Sequence, residues 1–186
     1  MGLDEQKLIQ QAKQGQVDAL ETIFRHHVDS AVRLAYLITR NWATAEDAVQ
    51  EAFIQAFDSL DSFQDDRPFQ PWFTKIVINK AKRTKDRFDR GHLPYEQEDV
   101  NPHGIFIPED HALEKEGLDT LFTAINELDD NHRLPLILKY LTGLSEAETA
   151  QVLGIPVSTV KSRLYVARQR LRQHINDLKG GDGHGL

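Results

Sequence analysis

At 186 residues with 40% hydrophobic side chains, the chain can bury the core of one domain or of two small ones. No window approaches the roughly 18 uninterrupted apolar residues of a membrane span, and the absence of cysteine excludes disulfides, thiol catalysis and cysteine-ligated zinc. A net charge of −7 argues against indiscriminate binding of nucleic acid.

The first residues, MGLDEQKLIQQAKQG, lack the basic start and apolar run of a secretory signal, and Gln6 breaks the myristoylation pattern, so a cytoplasmic chain is expected. The charge is unevenly spread. Residues 1–66 carry 5 basic and 12 acidic side chains, 67–92 carry 8 and 2, 93–131 carry 1 and 11, and 132–186 carry 8 and 4. Two basic patches therefore alternate with two acidic segments. Each patch can neutralise a few phosphates while the acidic segments oppose random binding.

In chain order, Leu3 to Lys13 predicts a short helix ending near Gly15. Asp18 followed by Glu21 reads as a capping box, in which each side chain bonds the other's backbone amide. It opens a long second helix with Leu20, Ile23, Phe24, His27, Ala31, Leu34, Ala35 and Ile38 on one face. Thr44 reads as the cap of a third helix, with Glu46 and Asp47 in its first turn, where negative charge suits the helix dipole. Its inner stripe is Ala45, Ala48, Val49, Ala52, Phe53, Ala56 and Leu60. Glu46, Asp47, Gln50, Glu51, Ile54 and Gln55 then face outward. Such a face alone is ordinary solvated surface, and Ile54 within it hints at a protein contact. Asp61 to Pro71 reads as a polar loop, with Pro71 in the first turn of a fourth helix, Trp72 to about Arg90. Trp72, Phe73, Ile76 and Val77 suit a core. Lys75, Lys80, Lys82, Arg83, Lys85 and Arg87 suit phosphates, and Asn79 has the donors and acceptor for a base edge.

Across 91–109 the helical period fails among prolines, glycines and acids, which reads as a linker. Leu113, Leu118, Leu121, Phe122, Ile125 and Leu128 mark the next amphipathic helix, and Leu134, Ile137, Leu138 and Leu141 the one after, where Pro135 must occupy the first turn or bend the helix. Residues 143–172, GLSEAETAQVLGIPVSTVKSRLYVARQRLR, are the most informative segment. Ser145 and Glu148 form a capping box, Ala147, Ala150, Val152 and Leu153 are apolar positions, Gly154 can end the helix left-handed, and Pro156 cannot continue it. Ser158 reads as the next cap, before Val160, Leu164, Ala167 and Leu171 at helical spacing. Lys161, Arg163, Arg168, Arg170 and Arg172 lie between them, with no acidic residue from Val157 to Ile175. That is the layout of a helix-turn-helix whose second helix enters the DNA major groove. The predicted fold is all-α, with helical domains at 1–91 and 112–178, a linker at 92–111 and a disordered tail at 179–186.

Taken together, AEDAVQEAFIQAF, the run from DSF through RPFQPWFTKIVINKAKR, and INELDDNHRLPLILKYLTGLSEAETAQVLGIPVSTVKSRLYVARQRLR resemble the sigma-2 and sigma-4 signatures of the extracytoplasmic-function (ECF) sigma factors of bacterial RNA polymerase. The motifs cover most of residues 5–175 in the family's order. The resemblance implies two helical domains joined by a linker that threads the polymerase channel. It implies that Asp47, Gln50, Glu51 and Ile54 dock on the coiled coil of the β′ clamp. The 61–71 loop, with Arg67, and the helix after it, with Asn79, Lys80, Lys82 and Arg83, would capture the melted −10 strand, base selectivity arising in a pocket for a flipped base. Ser158, Thr159, Lys161, Ser162, Arg163, Tyr165 and Arg168 would read the −35 duplex. The apolar surface of sigma-4 would engage the β flap, and an anti-sigma factor is an expected partner of a monomeric, cytoplasmic protein. No cofactor, metal, enzymatic activity or membrane insertion is implied.

Three positions depart from the family pattern. Arg83 stands where many members have an acid, Leu128-Asp129 replaces the usual Leu-Pro, and Thr149 replaces a bulky apolar residue. Rival readings are few. No GxxxxGK(S/T), GxGxxG, HExxH or GxSxG motif occurs, and the histidines lack ligand spacing. His26 and His27 project about 100° apart on a helix, and His27 reads as a satisfied core histidine. The main alternative is a stand-alone helix-turn-helix repressor or activator, which should dimerise and bind duplex DNA unaided.

Overall fold

The computed structural model describes residues 4–91 and 123–180. The chain divides into two compact units, Met1–Asn101 and Pro102–Leu186. Among the described residues every regular element is helical, as the sequence period predicts. The expected linker, the tail and the positions Leu113, Leu118, Leu121 and Phe122 lie outside the described residues.

The first unit contains α1 (Glu5–Lys13), α2 (Val17–Thr39), α3 (Trp42–Asp58), a 3-10 turn (Leu60–Ser62) and α4 (Phe69–Arg90). Asp4 caps α1 by accepting a hydrogen bond from the Lys7 amide. Gly15 then takes a positive φ of 79°, and the chain reverses so tightly that α2 begins at Val17. Asp18 therefore lies inside the first turn rather than capping it, the cap position falling to Gln16 with no side-chain bond. The third helix also starts early. Asn41, extended after the left-handed Arg40 (φ 59°), accepts from the Thr44 amide, so Thr44 is a buried first-turn residue and Glu46 and Asp47 fall beyond that turn. The fourth helix starts at Phe69, which places Pro71 in its first turn as expected and shortens the polar loop.

The core of this unit lies among α2, α3 and α4. Ala45, Ala48, Ala52 and Ala56 are fully buried along one stripe of α3, where small side chains let the neighbouring backbones approach closely. Phe53 fills the space beyond them, its ring 4.7 Å from Phe24 and 4.5 Å from Phe73. Tyr36 stacks on Trp42 at 4.1 Å across the α2–α3 corner, a contact that supports the left-handed turn between them. His27 is buried, with Nε2 2.9 Å from Glu5 Oε1, so it ties α2 to α1 as a satisfied core histidine.

The described part of the second unit has a helical turn over 123–126 and continues as α5 (Asp130–Tyr140), α6 (Glu146–Leu153) and α7 (Val157–Gly180). Leu128, Leu136, Ala150, Val160, Leu164 and Ala167 form its core, with Ile125, Ile155 and Leu171 packed against them. Burying one such leucine stabilises the fold by about 1.5–3 kcal/mol. Pro135 sits at the sixth residue of α5, not in its first turn, and is itself fully buried. The carbonyl it leaves without an amide belongs to the exposed Asn131, where water can take the bond. The Ser145–Glu148 capping box forms with both reciprocal bonds, and Gly154 takes φ 66°. Ala147 is exposed and Thr149 takes its place in the core. The Pro156 carbonyl accepts from the amides of Thr159 and Val160, so Ser158 lies within the first turn of α7 instead of capping it.

Candidate nucleic-acid and protein interfaces

On α7 the buried positions Val160, Leu164 and Ala167 fix the orientation of everything else. Ser158, Lys161, Ser162, Tyr165 and Arg168 recur at three- to four-residue spacing on the opposite side and are all exposed. Tyr165 is 59% exposed and accepts a bond from Gln169 at 2.7 Å. Five of the seven residues predicted to read duplex DNA thus share one face. Thr159 and Arg163 are half-buried on the flank, beside the core. Arg170 is drawn away on that same flank, its Nη1 2.8 Å from Asp129 Oδ2. Asp129 caps α5 and also accepts from His132 at 2.8 Å; the His132 bond, aided by Arg170, lowers its carboxyl below the ordinary value. The capping box and the Gly154 turn set the angle at which this face is presented.

On α4 the first turns are anchored by Phe69, Phe73, Ile76 and Val77 in the core. Trp72 is half-buried, its ring 4.9 Å from Phe63 and 5.4 Å from Phe69. Further along, Lys75, Asn79, Lys82 and Arg83 share an exposed face. Lys80 does not join them. It turns toward α3, where its Nζ lies 3.4 Å from Glu51 Oε2. Arg87 donates to the same carboxylate at 2.7 Å. These contacts, the Arg87 hydrogen bond first, lower the Glu51 carboxyl below its ordinary value. Arg67 is exposed on the short loop between Phe63 and Phe69, its amide bonded to the Gln64 carbonyl.

On α3, Asp47, Gln50 and Ile54 are exposed and Glu51 is half-buried, as the buried alanine stripe requires. All four predicted partner contacts line an open groove of about 530 Å³ between α3 and α4. Its opposite wall includes Arg87 and Phe88, the latter 43% exposed. Sequence reasoning missed Phe88; its only signal was an aromatic residue in an otherwise charged helical end. Ile54 and Phe88 give this groove apolar contacts, and Asp47 gives it negative charge while Glu51 is engaged by Arg87 and Lys80, a mixed apolar and polar lining suited to a protein partner. Among the described residues no cluster of three or more histidine or acidic side chains can hold a metal, and no helix is long and apolar enough to cross a membrane.

The Sigma-70 region 2 family matches residues 23–90, which contain the groove and the basic face of α4. The Sigma-70, region 4 family matches residues 118–171, which contain the exposed face of α7. The ECF RNA polymerase sigma factor SigW of Bacillus subtilis is 34% identical over 92% of this chain and 97% of its own length. The chain belongs to the ECF sigma factors. The ECF RNA polymerase sigma-E factor of Escherichia coli is 31% identical over 95% of this chain and 96% of its own. Two solved structures share the fold. One is CnrH in complex with the cytosolic domain of CnrY, with a TM-score of 0.71 and 24% identity over 93% of this chain and 97% of that one. The other is the Bartonella quintana sigma factor RpoE in complex with the anti-sigma factor NepR, with a TM-score of 0.65 and 24% identity over 84% of this chain and 96% of that one. As an ECF sigma factor the chain carries region 2 in its first unit and region 4 in its second.

Proposed function

We propose that this alternative sigma factor binds core RNA polymerase and directs it to promoters by reading the −35 duplex with α7 and trapping the melted −10 strand with the 61–71 loop and α4. The observation that carries the reading is the exposed face of α7. The buried stripe leaves Ser158, Lys161, Ser162, Tyr165 and Arg168 exposed together on one side of α7, which supports the reading that this side enters the major groove. Lys161 and Arg168 supply charge for phosphates and donors for guanine, while Tyr165 and Ser162 supply neutral polar contacts to base edges. Arg163 acts on the adjacent backbone from its flank.

In region 2, Lys75, Lys82 and Arg83 track the backbone of the single strand, and Asn79 meets a base edge. Arg83 replaces a common acid, so this face carries more positive charge than is usual in the family. Asp47, Gln50, Glu51 and Ile54 form the seat of the β′ clamp coiled coil, and the apolar side of region 4 meets the β flap. The protein supplies no bond chemistry; it acts as a monomer in the cytoplasm, and an anti-sigma protein covering either face would silence it.

The test is run-off transcription on fragmented genomic DNA of the source organism, using sigma-free core polymerase with and without the chain. The reading predicts discrete transcripts that require both components and share one −35 and one −10 sequence. Tight, sequence-specific duplex binding by the chain alone, with no transcripts, would instead establish a stand-alone repressor or activator.

A further inference from the structure

The last side chain of α1 reaches across to the loop that follows the 3-10 turn. Lys13 Nζ donates to the Phe63 carbonyl at 2.7 Å and to Asp65 Oδ1 at 2.6 Å, and it lies 6.0 Å from the centre of the Phe63 ring. The Lys13 side chain is only 20% exposed, although that of Asp65 is open to water. Three contacts from one side chain thus fix the backbone, the ring and the first acid of a loop 50 residues away. Phe63 is buried and packs edge-on against Phe69 and at 4.9 Å on Trp72. Gln64 to Pro68, with Arg67, hang between these two aromatic anchors and are all exposed.

We propose that Lys13 is a positioning residue for promoter selectivity: it sets the conformation and the charge of the 64–68 loop that meets the melted −10 strand. The inference rests on the assignment of that loop to the −10 element. Two effects follow from the geometry. The carbonyl and ring contacts hold the start of the loop in one conformation, so the strand meets a preformed surface. The ammonium also neutralises Asp65. Without it, the Asp65 carboxylate would repel the strand's phosphates and compete with them for Arg67, two residues further along the same loop.

The experiment compares Lys13→Met, Lys13→Arg and Arg67→Ala in holoenzyme. The readout is the ratio of transcripts from a promoter with its own −10 element to one with a single −10 base changed, alongside core-polymerase affinity. Lys13→Met is expected to reduce that ratio about two- to fivefold, the upper part of the range of one exposed charge pair, with polymerase affinity unchanged and with Lys13→Arg retaining most of the discrimination. If Lys13→Met keeps full discrimination while Arg67→Ala loses it, the proposal is overturned and the loop assignment stands. If neither variant changes the ratio, the loop does not read the −10 element, and the proposal falls with that assignment. A loss of polymerase affinity in Lys13→Met that accounts for the whole effect would overturn it as well, since Lys13 would then act only through the stability of region 2.

Discussion

Thr149 is fully buried and its hydroxyl has no hydrogen-bond partner. A buried hydroxyl left in that state costs about 1–3 kcal/mol, and valine has the same shape. Thr149→Val is therefore expected to stabilise the region 4 unit by about 1 kcal/mol, read as slower hydrogen exchange of α6 and α7 amides in the full chain. Faster exchange would show that the hydroxyl is satisfied in solution. Glu51 behaves in the opposite sense, as a carboxylate whose charged form the fold favours through Arg87 and Lys80. A group with a lowered folded pKa contributes stability that is complete above its unfolded value and is lost as pH falls through the folded one. The α3–α4 clasp should accordingly be insensitive to pH from neutrality down to roughly 4 and weaken below it. Glu51→Gln should remove that acid limb from a denaturation profile of region 2; an unchanged limb would assign it to other carboxylates.

At the scale of the element, α7 separates two kinds of cation. Lys161, 65% exposed and only loosely paired with Glu146 at 4.0 Å, and Arg168 stand on the exposed face, so alanine at either should lower the salt slope of holoenzyme binding to a −35 duplex by about 1. Arg170 is engaged with Asp129, and alanine there should leave the slope unchanged while destabilising the α5 cap. Equal slopes for all three variants would mean that α7 meets DNA by another face. Ser145→Ala removes one side of the capping box and should cost region 4 about 1 kcal/mol, measured by thermal denaturation. The elements themselves were legible because their signals are local. Four alanines at helical spacing announce the buried side of α3, and Ser145, Glu148 and Gly154 announce both ends of α6 within ten residues. Starts were less legible where two good caps compete: Asn41 prevailed over Thr44 because the left-handed turn at Arg40 delivers an extended residue at 41, and the Gly15 reversal left Asp18 inside its helix. Side-chain pairs between elements left no trace in the one-dimensional pattern. Lys80 reads as a phosphate contact among its basic neighbours, and only packing of α4 on α3 turns it toward Glu51, 29 residues away.

For the whole molecule, the alternation of acidic and basic segments becomes a division of labour. In the proposed reading, region 2 combines a groove for a protein with a basic face for a single strand, and region 4 carries a basic face for a duplex. The net charge of −7 opposes DNA binding by either face alone. Binding both promoter elements from one polymerase-bound chain makes the second contact intramolecular, so specificity exceeds what either region gives alone. The most direct test is permanganate and DNase I footprinting of one promoter with the chain, with core polymerase, and with both. Protection at −35 together with permanganate-reactive thymines at −10, only when both are present, is the predicted result. Equal protection at −35 by the chain alone, with no melting when polymerase is added, would contradict it.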